Sequence, residues 1–416
     1  MKKICLTVVG LCCMLLSAFS QSDNIDTASY RSKKLQFDEA HLVSGYYNQT
    51  GDHSAVTGGT GTQKLNDVAN IFDLQFVKWN NANNKYTWNA QLGIDYHTAA
   101  SQAYINLSGA SNAGGTRVYP SLNWNVEKNN GFTFGAGAGI SYEYNYQSIN
   151  GNFSIGKISK NKNTEINFKG EAFFDQVTLI EPSELIPKVT TTSGTTYTTA
   201  SGNVIRSGGD EHKANIPTSA RNTFSGSLTL SHVINKNFQV AVIADGVAQS
   251  GFLSLPFHRV YFKDQDSAKI EHLPNTRYKL PLGVRFSYFA GDKIIIKAYY
   301  RYYTDSWGIK ANTASIEVPY KVSPFFSISP FYRYYIQTAS PYFAPYKEHL
   351  TSDAYYSSNY DYSAFTSQYF GINFKITPKR GVFNIPFFNT LEIRYGRYTQ
   401  TTGLQANNIA IDLKFK

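Results

Sequence analysis

The sequence has no apolar run long enough for a membrane-spanning helix. Its one continuous apolar stretch, residues 4–16, is shorter than the ~20 residues that such a helix needs. Charged residues are also scarce, at 16% of the chain, whereas the chain contains 28 Phe, 31 Tyr and 4 Trp. This composition excludes a disordered polar chain. Lys and Arg are spread along the chain rather than gathered on one element, so we expect no nucleic-acid partner.

Cysteine is nearly absent, and its three positions all lie close to the start of the chain, at Cys5, Cys12 and Cys13. Two lysines precede the apolar stretch and the small-residue pattern of residues 18–20 follows it, which predicts a secretory signal peptide over residues 1–20. The exported chain would then have no cysteine for disulfides or thiolate metal sites.

Lipid attachment is the alternative interpretation of this segment. A lipoprotein needs a small residue directly before its acceptor cysteine, but Cys12 follows Leu11 and Cys13 follows Cys12. We therefore favour a cleaved signal peptide, followed by a polar periplasmic tail over residues 21–36.

Beyond Leu35 the chain alternates apolar residues with small or polar ones in segments of ten to fifteen residues, which is typical of long β-strands. The last segment shows this plainly, because one face carries Ile409, Ile411, Leu413 and Phe415 and the other carries Ala410, Asp412 and Lys414. Residues 132–143, 294–303 and 326–337 follow the same pattern.

The connections between these segments alternate in length. Short polar turns are predicted at 80–84, 128–130, 160–163, 235–237, 291–292 and around Ser323, with a longer one at 378–386. Several of the other connections are long: 51–69, 98–115, 179–220, 251–275 and 339–363. Seven turns and eight loops predict sixteen strands in an all-β fold, a transmembrane antiparallel up-and-down β-barrel over residues 37–416 with short periplasmic turns and long extracellular loops.

A soluble β-sandwich is the rival fold. Its strands are usually five or six residues long, whereas the segments here are about twice that length. Tyr and Phe also gather at segment ends, as in residues 299–303 and 332–335, which suits the aromatic girdles of a membrane barrel. We therefore predict export to the outer membrane of a Gram-negative bacterium, with outer-membrane lipids as a partner.

The faces predicted to point inward carry charges of opposite sign in the two halves of the chain. The acidic wall is predicted to contain Asp73, Asp95, Glu143, Glu171, Asp175 and Asp245. The basic wall is predicted to contain Arg277, Arg285, Lys297, Arg301, Arg333 and Arg394. One interpretation is a polarised channel, and the other is a salt-bridged filling of the lumen. A sixteen-stranded barrel is too wide for wall side chains alone to fill it.

Few residues suggest catalysis. Asp95 and His97 share one inward face near Ser101, as in an outer-membrane hydrolase, but their spacing assembles no nucleophile, base and orienting group, so we predict no catalytic residues and no enzyme. His258, Tyr346, His349 and Tyr355 are candidates for binding in extracellular loops. A loop metal site formed by His258, His349, Asp353 and Asp361 is an alternative, but lone histidines without tight spacing do not indicate one, and we predict no metal and no cofactor.

Several phrases of the chain resemble the domain of unknown function 3570 family of predicted outer-membrane barrels. They are residues 108–111 (SGAS), 116–121 (TRVYPS), 249–262 (QSGFLSLPFHRVYF), 300–308 (YRYYTDSWG), 330–335 (PFYRYY) and 342–346 (YFAPY). The resemblance extends over nearly the whole exported chain, and residues 41–52 depart from the pattern.

The resemblance implies an outer-membrane barrel without an established activity. Genes of such proteins are often found near those of a small lipoprotein and of periplasmic flavin-attaching or thioredoxin-like proteins, which implies a lipoprotein or a periplasmic redox protein as partner. Two functions follow as hypotheses: a porin-like or partner-dependent channel for small polar or charged solutes, in which basic-wall residues such as Arg301 face acidic groups such as Asp95, and a non-conducting scaffold or receptor for an envelope complex.

Overall fold

In a computed structural model of the chain, long antiparallel strands form almost all of the regular structure. The structure describes residues 33–98, 115–180, 188–191, 194–198, 204–207 and 217–416. Sixteen strands form the main sheet: β1 Gln36–Thr50, β2 Leu65–Trp79, β3 Lys85–His97, β4 Gly115–Glu127, β5 Phe132–Glu143, β6 Tyr146–Ile158, β7 Thr164–Thr178, β8 Thr218–Asn235, β9 Phe238–Gly251, β10 Thr276–Ala290, β11 Ile294–Asp305, β12 Lys310–Glu317 with Tyr320–Ser323, β13 Phe326–Gln337, β14 Phe365–Ile376, β15 Phe388–Gln400 and β16 Gln405–Phe415.

The sheet closes on itself. Each strand pairs with its neighbours in sequence, and β1 pairs with both β2 and β16 in antiparallel register, from Ala40 opposite Phe415 to Thr50 opposite Gln405. Closure leaves the main sheet without a free edge strand, as hydrocarbon surroundings demand. The predicted fold and strand number are confirmed.

Strand β12 is interrupted at Val318 and Pro319. Proline has no N–H to donate to a ladder, which divides the strand into two pieces. The neighbouring strands bridge the gap, because the N–H of Val318 donates to Pro330 and the N–H of Ile295 donates to Pro319, both at 3.0 Å. The barrel therefore keeps its continuity at this point.

The two ends of the barrel differ. The end at which β1 begins and β16 ends, here called the terminal rim, carries seven connections, most of them tight turns, and the opposite loop rim carries eight. The loop rim has long connections at 51–64, 98–114, 179–217, 252–275 and 338–364, and short ones at 144–145, 306–309 and 401–404. These lengths place the terminal rim on the periplasmic side.

The outer face of the barrel is apolar and uncovered. Its most exposed large side chains include Ile149 at 64%, Leu122 at 55% and Phe174 at 52% of their full area. Because a water-soluble protein would bury such a continuous band, we assign this face to lipid. Near the terminal rim, Tyr86, Trp88, Trp124 and Phe134 form one aromatic cluster of the girdle, with ring centroids 6.0–6.4 Å apart.

Part of the chain considered above lies outside the described residues, namely the predicted signal peptide, residues 21–32 of the predicted tail and the phrase at 108–111. Three short helices are described, Ala55–Thr57, Tyr360–Tyr362 and Val382–Asn384. No helix in the described ranges is long and apolar enough to cross a membrane.

Candidate functional site

A cavity of about 310 Å³ opens in the lumen wall between β10 and β15. Its charged lining consists of Arg285, Lys297, Glu317, Arg333 and Arg394. Three aromatic side chains, Tyr299, Phe331 and Tyr369, also line it. We call this cavity the lumenal recess, and its volume lies at the lower end of the range for small-molecule sites.

The recess follows from the register of five adjacent strands. One row of directly paired residues runs from Arg285 through Tyr299, Ser315 and Arg333 to Tyr369. Because neighbouring strands lie about 4.8 Å apart, the two arginines are separated by roughly 14 Å of wall. Ser315 is the small side chain between them, and it leaves room for the cavity.

Glycines let the aromatic rings lie flat on the wall. A Cβ on Gly283 would lie 3.0 Å from the Tyr299 hydroxyl, and a Cβ on Gly396 would lie 2.3 Å from the Tyr369 hydroxyl. Phe331 lies over Gly371 in the same way, with 2.6 Å to its Cζ. A side chain at these positions would push the rings into the lumen.

A guanidinium group lies over each of these rings. The distances from Cζ to the ring centroid are 6.0 Å for Arg285 over Tyr299, 5.1 Å for Arg333 over Tyr369 and 3.9 Å for Arg394 over Phe331. The wall is thus layered as glycine, aromatic ring and arginine. Such stacking holds the charge of each arginine at the lumen surface.

The recess has more positive than negative charge. Lys297 and Arg394 share Glu317, at 3.6 Å and 3.3 Å. Arg285 and Arg333 have no carboxylate partner among the described residues. Four cations therefore surround one carboxylate, which suits an anion.

Arg277 and Arg301, also predicted on the basic wall, face the lumen outside the recess. Arg277 lies near the loop rim, where it pairs with Asp305 and stacks on Trp307 with 4.4 Å from Cζ to the ring centroid. Arg301 lies between Arg277 and the lumenal recess along the wall. Its Nε is buried without a hydrogen-bond partner among the described residues. Of these two arginines, only Arg301 has no carboxylate partner among the described residues.

The six residues of the predicted acidic wall also face the lumen, but each has a partner close by on the wall. Asp95 binds Arg117 and accepts a hydrogen bond from Tyr119, and Glu143 lies 3.1 Å from His97. The remaining contacts are Asp73 with Asn89, Glu171 with Lys169, Asp175 with Tyr146 and Asp245 with Ser227. Arg117 and His97 on neighbouring strands are thus the nearest partners of Asp95 and Glu143, whereas basic-wall residues such as Arg301 were expected only to face these carboxylates from the other part of the lumen wall.

Three connections of the loop rim pack together into one body, here called the outer cap, formed by residues 51–64, 252–275 and 338–364. At its centre Glu271 is 3% exposed and accepts hydrogen bonds from the backbone N–H of Leu255, at 2.9 Å, and from the Ser357 hydroxyl. His258 Nδ1 lies 3.5 Å from the same carboxylate. One buried acidic group thus joins two of the three segments, and Arg259 joins the third by donating to the carbonyl of Val56.

The cap is attached to lumen-facing side chains of the barrel. Arg221 of β8 donates to the carbonyls of Phe252 and Ser254, at 2.8 Å and 3.1 Å. Gln337 of β13 donates to the carbonyls of Asp361 and Ser363, at 2.9 Å and 2.6 Å. These strands are five apart in the barrel, so the cap crosses part of the outer mouth.

The four predicted loop residues all belong to the cap, but they differ in exposure. His258 and His349 are buried, at 7% and 4%, so their side chains serve the cap and do not face an extracellular ligand. Tyr346 and Tyr355 are both 40% exposed. The sequence shows that these residues lie in loops, but the burial of the histidines depends on packing between distant loops.

Acid is expected to release the cap. Burial raises the pKa of Glu271, but His258, the Ser357 hydroxyl and the Leu255 N–H together hold that pKa below its usual 4.5. A lowered pKa means that the carboxylate contributes its full stability above about pH 4.5 and loses it as the pH falls through the lowered value. In planar bilayers we expect conductance to rise as the pH drops below about 4.5. The same conductance at pH 7 and at about pH 3 would contradict a role for Glu271 in closing the cap.

The substitution Gly396→Ala is expected to narrow the lumen, because the new Cβ would meet the Tyr369 ring and lift it, with Arg333, from the wall. We expect a lower single-channel conductance and a stability loss of about 1–3 kcal/mol, measured by urea unfolding in lipid vesicles. Gly45→Ala is the matched control, because a Cβ there would meet nothing within 4 Å. Equal conductance of the two variants would show that the Tyr369 ring does not limit the width of the lumen.

Comparisons with known proteins find one matching family and several similar solved structures. The family model described as "Protein of unknown function (DUF3570)" matches residues 90–408. No curated protein matches the chain. Among solved structures, a BenF-like porin from Pseudomonas fluorescens Pf-5 is 8% identical, with 93% of this chain and all of that chain covered and a TM-score of 0.42. The OccK3 (OpdO) structure from Pseudomonas aeruginosa is 7% identical, with coverages of 92% and 96% and a TM-score of 0.39.

Proposed function

Because the chain belongs to the DUF3570 family and folds as a sixteen-stranded transmembrane barrel, we propose that it is an outer-membrane channel that favours small anionic solutes. The lumenal recess carries this proposal, since four cations surround a single carboxylate on a wall that faces the lumen. Arginine side chains bind carboxylates and phosphates through paired N–H groups. The exposed edges of Arg285 and Arg333 would act as transient sites along the path.

The test is the conductance of the purified barrel in a planar bilayer, with reversal potentials measured across a salt gradient. We expect steady single-channel currents and a reversal potential on the anion side. A cation preference would overturn the assignment of the recess as the selectivity site. Block of a chloride current by millimolar organic anions would support it further.

A second function, a non-conducting scaffold or receptor, is favoured by the outer cap. The cap has a buried polar centre at Glu271 and is attached to the wall by Arg221 and Gln337, as expected of a fixed closure. The partner of such a scaffold would be a small lipoprotein or a periplasmic redox protein. A folded barrel that carries no current at any pH between about 3 and 7 would support this function and exclude the channel.

A further inference from the structure

One connection of the terminal rim is unlike the other six. Residues 377–387 join β14 to β15, whereas the other connections at this rim contain two to five residues. We call this connection the rim turn. Its backbone enters the left-handed region at Gly381, Phe383 and Asn384, with φ of 79°, 54° and 64°. For a bulky residue such as Phe383 this conformation is unusual and costs free energy.

The rim turn holds this conformation through its own hydrogen bonds. The N–H of Asn384 donates to Gly381 and the N–H of Ile385 donates to Val382, both at 3.1 Å. Val382 is 3% exposed and anchors the turn. The geometry therefore fixes one side chain inward and directs the next one, Phe383, away from the protein.

Phe383 is exposed over 79% of its area, more than any other large apolar side chain in the described ranges. A strained backbone that holds a phenylalanine in an exposed position indicates that the side chain contacts an apolar environment outside the protein. Exposing such a side chain to water is unfavourable. Because hydrogen bonds fix the turn, disorder does not explain the exposure of Phe383.

The Phe383 ring continues the lipid-facing band of the barrel. It lies 6.3 Å from the Phe388 ring, which stacks at 5.0 Å on Phe415. Phe415 shares the outward face of β16 with Ile409 and Ile411, which are exposed to lipid. The turn also carries Lys379 and Arg380, and the Lys379 ammonium lies 5.7 Å from the Phe325 ring centroid.

We infer that the rim turn is a membrane-anchoring wedge, in which Phe383 enters the headgroup region of the inner leaflet and the two basic residues contact anionic phospholipid phosphates. A phenylalanine flanked by basic residues is the composition of segments that lie in the membrane interface. This anchor is independent of solute passage through the lumen.

The chain from Gln21 onward has no cysteine, so a single spin label can report the depth of the turn. The label would be placed at Phe383→Cys in vesicles of phosphatidylethanolamine and phosphatidylglycerol, and collisions with oxygen and with a water-soluble nickel chelate would be compared. Phe153→Cys, on the lipid face, and Asn161→Cys, in another turn of the terminal rim, are the controls. Retention of heat-modifiable electrophoretic mobility would show that each variant is folded.

The label at 383 is expected to collide preferentially with oxygen, as at 153, and the label at 161 with nickel. Adding Lys379→Gln and Arg380→Gln should move the label at 383 toward water in vesicles that contain phosphatidylglycerol and change little in vesicles of phosphatidylcholine alone. Nickel access at 383 equal to that at 161 would overturn the inference. The turn would then stand in water, where a periplasmic protein could bind it.

Discussion

The double variant Arg285→Ala/Arg333→Ala is expected to lose most of its anion preference. The lumenal recess has four cations and one carboxylate, and the two arginines removed are the ones without a carboxylate partner among the described residues. Coulomb energies of about 1 kcal/mol per charge in water predict a fall of roughly tenfold or more in the anion-to-cation permeability ratio. Reversal potentials across a salt gradient measure this ratio directly.

Arg397→Ala is the matched control for this experiment. It removes one positive charge from the same barrel, but Arg397 faces outward on β15 and bonds Asn407 and Gln405. Its permeability ratio should equal that of the wild type. A double variant with unchanged selectivity would mean that ions pass the recess without contact, and the channel proposal would then lose its main support.

The substitution Glu271→Ala should open the outer cap. It leaves the Leu255 N–H, the Ser357 hydroxyl and His258 without their shared acceptor in a buried place. Removing one partner from such a buried polar group costs about 3–5 kcal/mol, which corresponds to an open-state population at least a hundredfold higher. We expect a large rise in conductance at pH 7 and no further rise on acidification.

Glu348→Ala is the control for the cap, because this glutamate is exposed in the cap segment 338–364 and its loss removes the same charge. Hydrogen exchange of residues 252–275 and 338–364 would measure the release of the cap independently of any current. Wild-type protection in Glu271→Ala would show that the cap is held by its other contacts, chiefly those of Arg221 and Gln337.

The strands were predictable from the sequence because side chains along a barrel strand alternate between lipid and lumen, which gives the sequence a period of two. The reversals at 80–84, 128–131 and 159–163 were equally clear, since polar residues and glycine mark them. Pro319 causes no visible break in the alternation of apolar and polar residues, because the alternation of β12 resumes after it. Sixteen strands were therefore counted correctly although one is divided.

The site was less predictable, because its features depend on which strands are adjacent. The sequence placed Asp95 on an inward face, but its pairing with Arg117 follows from the register of β3 with β4. The glycines under Tyr299, Phe331 and Tyr369 belong to neighbouring strands, so no local pattern connects them with the rings. The cap joins residues about 200 positions apart, such as Arg259 and Val56. A repeating pattern in the sequence does not indicate such a contact.

The closing ladder between β1 and β16 also sets the order of events during assembly. Its partners, Ala40 with Phe415 and Thr50 with Gln405, come from the two ends of the chain, so this ladder has the highest contact order in the barrel. The hairpins can form from local contacts, but the last seam must wait until the whole chain has been delivered. Until then two strand edges stay open to wrong partners. Across the finished seam, Glu39 binds Lys414 at 2.6 Å, a contact that no incomplete chain can make.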